Sequence, residues 1–430
     1  MPEEKLKKNK ITDIRACEVI DNRGNPTVRV YASIDHTFWG KADVPSGSST
    51  GSYEALEMRD GGARFGGKGV QKAIHNINAV IFPGLKGKDG TRQRDIDALM
   101  AEMDGTKNKA KLGANAILGV SLAVASAAAA ACGLPLFRYL NANAQVLPVP
   151  QASLINGGLH AGNDLDIQEF CVMPVGAPSF AESVRALCEM NGALKEGLLK
   201  KLGKSAVNTS EDGGFAPPVS ATREALDLLI DATERSGYAG QVVYALDFAA
   251  NGFYDPATGK YRFEGSEKDR DDMIGFITKL IQEYPLIVAI EDPLYEDDFE
   301  GLHILTSELE KTMVIGDDFF ATNIARISLG VAQGAGNATL LKLNQIGSLS
   351  EAMDAARYAS QNKFSVVVSE RSGETEDTIL ADVCVALNAG IIKTGGIRGS
   401  ERGAKYNRFV EIEDEMGRLA RYAGRNFRFP

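Results

Sequence analysis

Histidine and cysteine are scarce: 430 residues hold only four of the first and five of the second. Cys17, Cys132, Cys171, Cys188 and Cys384 are scattered, odd in number and form no CxxC. That pattern argues against a disulfide framework or a cysteine zinc site and reads as thiols in a reducing compartment, the cytoplasm. Positive charge is also in deficit. A net charge of −10 argues against nucleic acid or an anionic membrane surface as the main partner, although a local cluster of cations or a metal can still bind an anion. The lysine-rich start, residues 1–10, has no apolar segment behind it, so no secretory signal is expected. One stretch imitates a membrane span: Ala114 to Phe137 carries no charge. It consists mostly of Ala, Ser and Gly and ends at Gly133-Leu134-Pro135, so it reads as a helix enclosed by protein, with no membrane partner.

What is present suffices for two cores. The chain is 44 % apolar, and a barrel of about 250 residues would leave a second unit of more than about 100. Alternating patterns predict strands over Ile11–Ile20, Thr27–Ile34 and Phe38–Val44, with a turn at Asp21-Asn22-Arg23-Gly24-Asn25-Pro26. This antiparallel meander leads into Pro45-Ser46-Gly47-Ser48-Ser49-Thr50-Gly51-Ser52, a loop whose hydroxyls and amides suit a phosphate or a metal. Gly62 to Lys68 has the spacing of a phosphate-binding G-x-x-x-x-G-K loop. Gly69 stands where Ser or Thr is needed and no buried strand precedes it, so it is rejected as a nucleotide site. Val70 to Leu136 reads as helical, and the prolines of Leu147-Pro148-Val149-Pro150 mark a junction between an α+β domain, residues 1–146, and a second domain, residues 147–430.

In the second domain short apolar runs repeatedly stop on a charge. Val242 to Leu246 precedes Asp247, Leu286 to Ile290 precedes Glu291, and Met313 to Gly316 precedes Asp317. Thr339 to Leu341 precedes Lys342, Ser365 to Ser369 precedes Glu370 and Arg371, and Ile391-Ile392 precedes Lys393. Continuous β-branched runs suit strands covered on both faces, and helical spacing at Asp272–Tyr284 and Leu349–Asn362 supplies the cover. A (β/α) barrel gathers the C-terminal ends of its strands on one face, so these charges converge. Asp247, Glu291 and Asp317 are hard oxygen ligands suited to Mg²⁺, without the His or Cys that zinc prefers. Lys342, near Arg371, Lys393 and metal, has reason to lose its proton and act as a base. Such a site fits removal of a proton α to a carboxylate followed by loss of a β group; a Lys or His base with Mg²⁺ is the known arrangement of enolase-type sites.

The chain resembles the enolase family along nearly its whole length. The motifs that carry the likeness are Asp21–Thr27, Val44–Gly51, Leu112–Leu118, Asp166–Phe170, Leu341–Gly347, Arg371–Thr378 and Ile392–Gly395. The resemblance implies an α/β fold with an N-terminal α+β domain and a (β/α)8-type barrel with an irregular β-β-α-α start. It also implies two Mg²⁺ ions, a small phosphorylated carboxylic acid as substrate, and a homodimer or larger homo-oligomer. By position, Asp247, Glu291 and Asp317 match ligands of the first Mg²⁺, and Ser49 the loop ligand of the second. Lys342 matches the base, Lys393 the group that holds the carboxylate, and Arg371 with Ser372 the phosphate binders. His160, Gln168 and Glu169 match residues beside the reacting end.

Departures cluster on the acid side. The family runs Asp-Glu before Gly-Gly, and that Glu helps hydroxide leave; this chain has Glu211-Asp212, one methylene shorter at the acid position. Glu370 replaces a family His, and Gly395-Gly396-Ile397-Arg398-Gly399-Ser400-Glu401-Arg402 replaces Gly-Ala-Pro-x-Arg-Ser-Glu-Arg. Three readings follow: a hydro-lyase converting 2-phosphoglycerate to phosphoenolpyruvate, a relative acting on a related phosphorylated or phosphonate acid in a specialised pathway, and a silenced binding protein.

Overall fold

The computed structural model describes residues 9–48 and 51–428. Strands β1 (Ile11–Ile20), β2 (Pro26–Ile34) and β3 (Phe38–Asp43) form the antiparallel meander. The β1–β2 turn is fixed by Asp21, whose Oδ1 accepts the backbone N–H of Arg23 and of Asn25, both at 2.9 Å. The helical stretch breaks at glycines into separate pieces, among them Gln93–Asp104, which stops on Gly105 at φ 70°.

The charge-free stretch is a helix over Ala114–Ala131, 83 % buried and packed on β2 and β3. Its small side chains let the sheet come very close. A Cβ on Gly40 of β3 would lie 2.2 Å from the Ala123 carbonyl oxygen and 2.3 Å from the Ala127 nitrogen. Since both obstacles are backbone, Gly40→Ala is expected to force sheet and helix apart and cost about 1–3 kcal/mol. A lowered urea midpoint would show it; an unchanged one would mean the contact is looser than described.

The second unit is a closed barrel, formed by β4 (Val149–Asn156), β5 (Glu169–Met173), β6 (Val243–Asp247), β7 (Ile287–Glu291), β8 (Met313–Gly316), β9 (Ala338–Leu341), β10 (Ser365–Ser369) and β11 (Ile391–Lys393). Neighbours run parallel except at β5, which is antiparallel to β4 and β6. Helices Phe180–Leu202 and Thr222–Arg235 follow β5 before β6 begins. This is the irregular β-β-α-α start.

Side chains alternate between the two faces of a strand. Val243 and Ala245, Ala289, Met313 and Ile315, Ala338 and Leu340, Val367, and Ile391 pack together as one buried cluster, while Tyr244, Leu246, Val314 and Leu341 join the larger core outside it. Two residues further along those inward rows come Asp247, Glu291, Asp317, Lys342 and Lys393. The period of the strand therefore aims each of these charges into the barrel mouth. Glu169 arrives from the other direction. It opens the antiparallel β5, and the register sets it beside Asp247, which in turn pairs with Glu291.

Candidate active site

One cleft at the mouth is lined by His160, Gln168, Glu169, Asp212, Asp247, Asp317, Lys342, Glu370, Arg371, Ser372 and Lys393. Glu291 joins them through Lys393, whose Nζ donates to Glu291 Oε2 at 2.7 Å and Asp247 Oδ2 at 2.8 Å and lies 3.1 Å from Glu169 Oε1. Burial alone would lower the Lys393 pKa, but these carboxylates raise it well above the ordinary lysine value. Gln168 Nε2 donates to Asp247 Oδ2 at 3.2 Å. Ser49 lies outside the described residues; Gly47 and Ser48 before it line the cleft.

Lys342 differs from the sequence expectation of a neutral amine. Burial, Arg371 and Lys393 do press its proton off, but Nζ is ion-paired with Asp317, and that contact turns the net shift upward. The omitted factor was the strand neighbour. Asp317 is also held by Gln345, whose Nε2 donates to Oδ1 at 2.7 Å.

Arg371 is clamped by Glu54, with Nη1 2.8 Å from Oε2, and by Asn344 Oδ1 at 2.8 Å. The Ser372 hydroxyl accepts the Ser48 N–H at 2.8 Å. The anion-binding candidates thus touch the segments on either side of residues 49–50.

The adjacent acids separate. Asp212 is buried in the cleft, its Oδ2 2.5 Å from His160 Nδ1 and its Oδ1 3.7 Å from the Arg402 guanidinium. Glu211, a catalytic candidate in the sequence, stays at the rim with its side chain 42 % exposed; its Oε2 accepts the Ser48 hydroxyl at 2.7 Å. Neighbouring residues on the turn before Gly213, at φ 86°, are directed differently, and only Asp212 reaches the cleft.

Glu370 is likewise not a bare anion among the other acids. It pairs with Arg402, which is fully buried, while burial pushes the Glu370 carboxyl well up against that partner. The departures from the family motifs interlock here. A Cβ on Gly395 would lie 2.4 Å from Glu370 Oε1, and one on Gly396 would lie 2.6 Å from the Gly213 backbone. Gly396, where the family has Ala, lets its N–H reach the Asp212 carbonyl at 2.7 Å.

Sequence reasoning missed Arg402 as Asp212's neighbour, and it missed Asp292 and Asp318, which also line the cleft. Both acids were visible as the second half of Glu291-Asp292 and Asp317-Asp318. Asp292, at the uncommon φ of 40°, accepts the N–H groups of Asp317 and Asp318 at 2.9 and 2.8 Å and so shapes the end of β8. Asp292, Asp317 and Asp318 bring carboxylate oxygens within 4.8 Å of one another.

The donor set fits a divalent cation. It consists of carboxylate oxygens, as hard cations prefer, and Glu291 Oε1 is buried with no hydrogen-bond partner among the described residues. A barrel whose strand ends deliver lysines and oxygen donors to one buried cleft is built for removing a proton from carbon, and defines a barrel lyase.

Residues 144–430 match the family described as Enolase, C-terminal TIM barrel domain, and residues 11–140 match Enolase, N-terminal domain. The enolase of Methanocaldococcus jannaschii is 55 % identical over 421 residues, covering 98 % of each chain. The enolase of Thermococcus gammatolerans is 54 % identical over 426 residues, again 98 % of each. That of Pyrococcus furiosus is 52 % identical over 422 residues, 97 % of this chain and 98 % of its own. The chain belongs to the enolase family, and as such is a hydro-lyase.

Proposed function

We infer that this enzyme interconverts 2-phosphoglycerate with phosphoenolpyruvate and water. The single observation that carries the reading is the convergence of Lys342, Lys393, Arg371 and the strand-end carboxylates on one cleft. Identity of 55 % along 98 % of the chain favours this substrate over a related phosphorylated or phosphonate acid.

Asp247, Glu291 and Asp317 would hold one Mg²⁺, and Ser49 would contribute to a second. A Mg²⁺ bound there would offset the charge that builds on the substrate carboxylate as its neighbouring carbon is deprotonated. Lys342, pressed by burial, Arg371 and Lys393, takes the proton from C2. Lys393 orients the substrate carboxylate. Arg371 and Ser372 bind the phosphate, where a planar guanidinium offers paired donors. Gln168 and Glu169 flank the reacting end. We assign residues 1–146 to the capping domain and residues 147–430 to the barrel domain of a cytoplasmic homodimer or larger homo-oligomer.

The test is direct. Purified protein given 2-phosphoglycerate and Mg²⁺ is expected to produce the ultraviolet absorbance of a conjugated enol phosphate. Absence of that signal, with conversion of a phosphonate analogue instead, would replace the substrate assignment.

A further inference from the structure

Loss of hydroxide from C3 requires a proton donor, and the acid-side carboxyls are already engaged. Asp212 occupies the position where the family places its acid. Burial would raise its pKa, but His160 and Arg402 outweigh burial and hold it at about 2, so it carries no proton to give. Burial pushes the Glu370 and Glu169 carboxyls up, and each is turned to a cation, Glu370 to Arg402 and Glu169 to Lys393. Glu211 is at the rim.

His160 is placed differently. It is 9 % exposed, lines the cleft, and receives Asp212 on Nδ1 at 2.5 Å. Its other ring nitrogen, Nε2, is buried with no hydrogen-bond partner among the described residues. A carboxylate on Nδ1 orients the imidazole and accepts that N–H; in the imidazolium the second proton sits on Nε2, which then donates. The turn that carries the ring is held closely: Gly158 sits at φ 58°, and its N–H meets the Leu165 carbonyl at 2.6 Å. Charged groups acting on the ring are Asp212, Glu169 and Asp247, all negative. Burial works against the imidazolium, and Asp212 outweighs it, so the pKa is raised.

We propose that His160 is the general acid of the dehydration, delivering its Nε2 proton to the departing hydroxyl, with Asp212 as its positioning residue. The proposal rests on the enolase reading and names the acid within it. Lys342 Nζ takes the C2 proton, and the electron pair of that C–H bond is first delocalised into the substrate carboxylate as an enolate; it then becomes the C2–C3 double bond as the C3–O bond breaks. The C3–O pair leaves on oxygen, which accepts the Nε2 proton and departs as water. His160 is then reprotonated, and Lys342 deprotonated, by solvent.

The test separates deprotonation from departure. His160→Gln and wild type are compared, with Mg²⁺, for phosphoenolpyruvate formation, for exchange of the C2 proton of 2-phosphoglycerate in deuterated water, and for chloride elimination from 3-chloro-2-phosphopropanoate. Chloride leaves without being protonated. The variant is expected to lose about 100- to 1000-fold in dehydration, the range of a general acid, while exchange and chloride elimination stay within about threefold, since neither depends on that acid. Asp212→Asn is expected to show the same selectivity with a smaller loss. Undiminished dehydration by His160→Gln overturns the assignment, as does equal loss of all three activities, which marks a binding or structural role. A wild type that never forms phosphoenolpyruvate overturns the enolase reading itself.

Discussion

Lys342→Ala abolishes both exchange of the C2 proton of 2-phosphoglycerate and formation of phosphoenolpyruvate, with a loss of about 10⁴-fold, the upper range for a positioned base. The geometry behind this expectation is narrow. Lys342 follows β9 on the same inward row as Ala338 and Leu340, and Lys393 ends β11 among three carboxylates. Lys393 is committed to Asp247, Glu291 and Glu169, whereas Lys342 has a single ion-pair partner among the described residues, Asp317. A base that must shed its proton is better served by one carboxylate, which a cation can draw away, than by three. Lys342→Arg tests charge against basicity: a guanidinium keeps the positive charge and does not deprotonate. It should be as inactive as the alanine variant. Exchange surviving in either variant would move the base elsewhere.

Glu291→Gln is the second large effect. Glu291 is 1 % exposed, one carboxylate oxygen bonded to Lys393 and the other without a partner among the described residues. Replacing that oxygen by an amide removes a charged ligand while leaving the residue's size unchanged. The Mg²⁺ concentration giving half-maximal activity should rise by about 100-fold or more, the upper end of what even outer partners of metal ligands contribute. Circular dichroism should remain that of the wild type. An unchanged Mg²⁺ requirement would remove Glu291 from the ligand set.

The barrel is legible in the sequence because strands covered on both faces appear as unbroken apolar runs, and a charge ending such a run is conspicuous. Asp247, Glu291, Asp317, Lys342 and Lys393 are all found this way. Glu169 escapes the same rule, since its strand enters from the mouth and the acid precedes the apolar residues; only the family likeness pointed to it. Choosing between Glu211 and Asp212 was beyond the sequence, because a turn at Gly213 decides which of two adjacent side chains enters the cleft. The pairing of Lys342 with Asp317 was beyond the sequence for a related reason. Strand periodicity says that Asp317 and Lys342 share an interior, not that they touch.

The partnership of Glu370 with Arg402 shows how a substitution depends on residues far away in sequence. Glu370 in place of a histidine brings an acid into the interior, Arg402 lies against it, and Gly395 leaves the room that its Oε1 occupies. The same guanidinium is near Asp212. The departures at residues 212, 370 and 396 therefore act on one buried assembly with the unchanged Gly395 and Arg402.

The most direct measurement of the central claim, that oxygen-held Mg²⁺ and Lys342 together take a proton from carbon, is the rate of C2 proton exchange in deuterated water before and after chelation. The account predicts exchange by the wild type with Mg²⁺, its loss on chelation, and its return when Mg²⁺ is restored. Exchange that continues unchanged without divalent cation would contradict it.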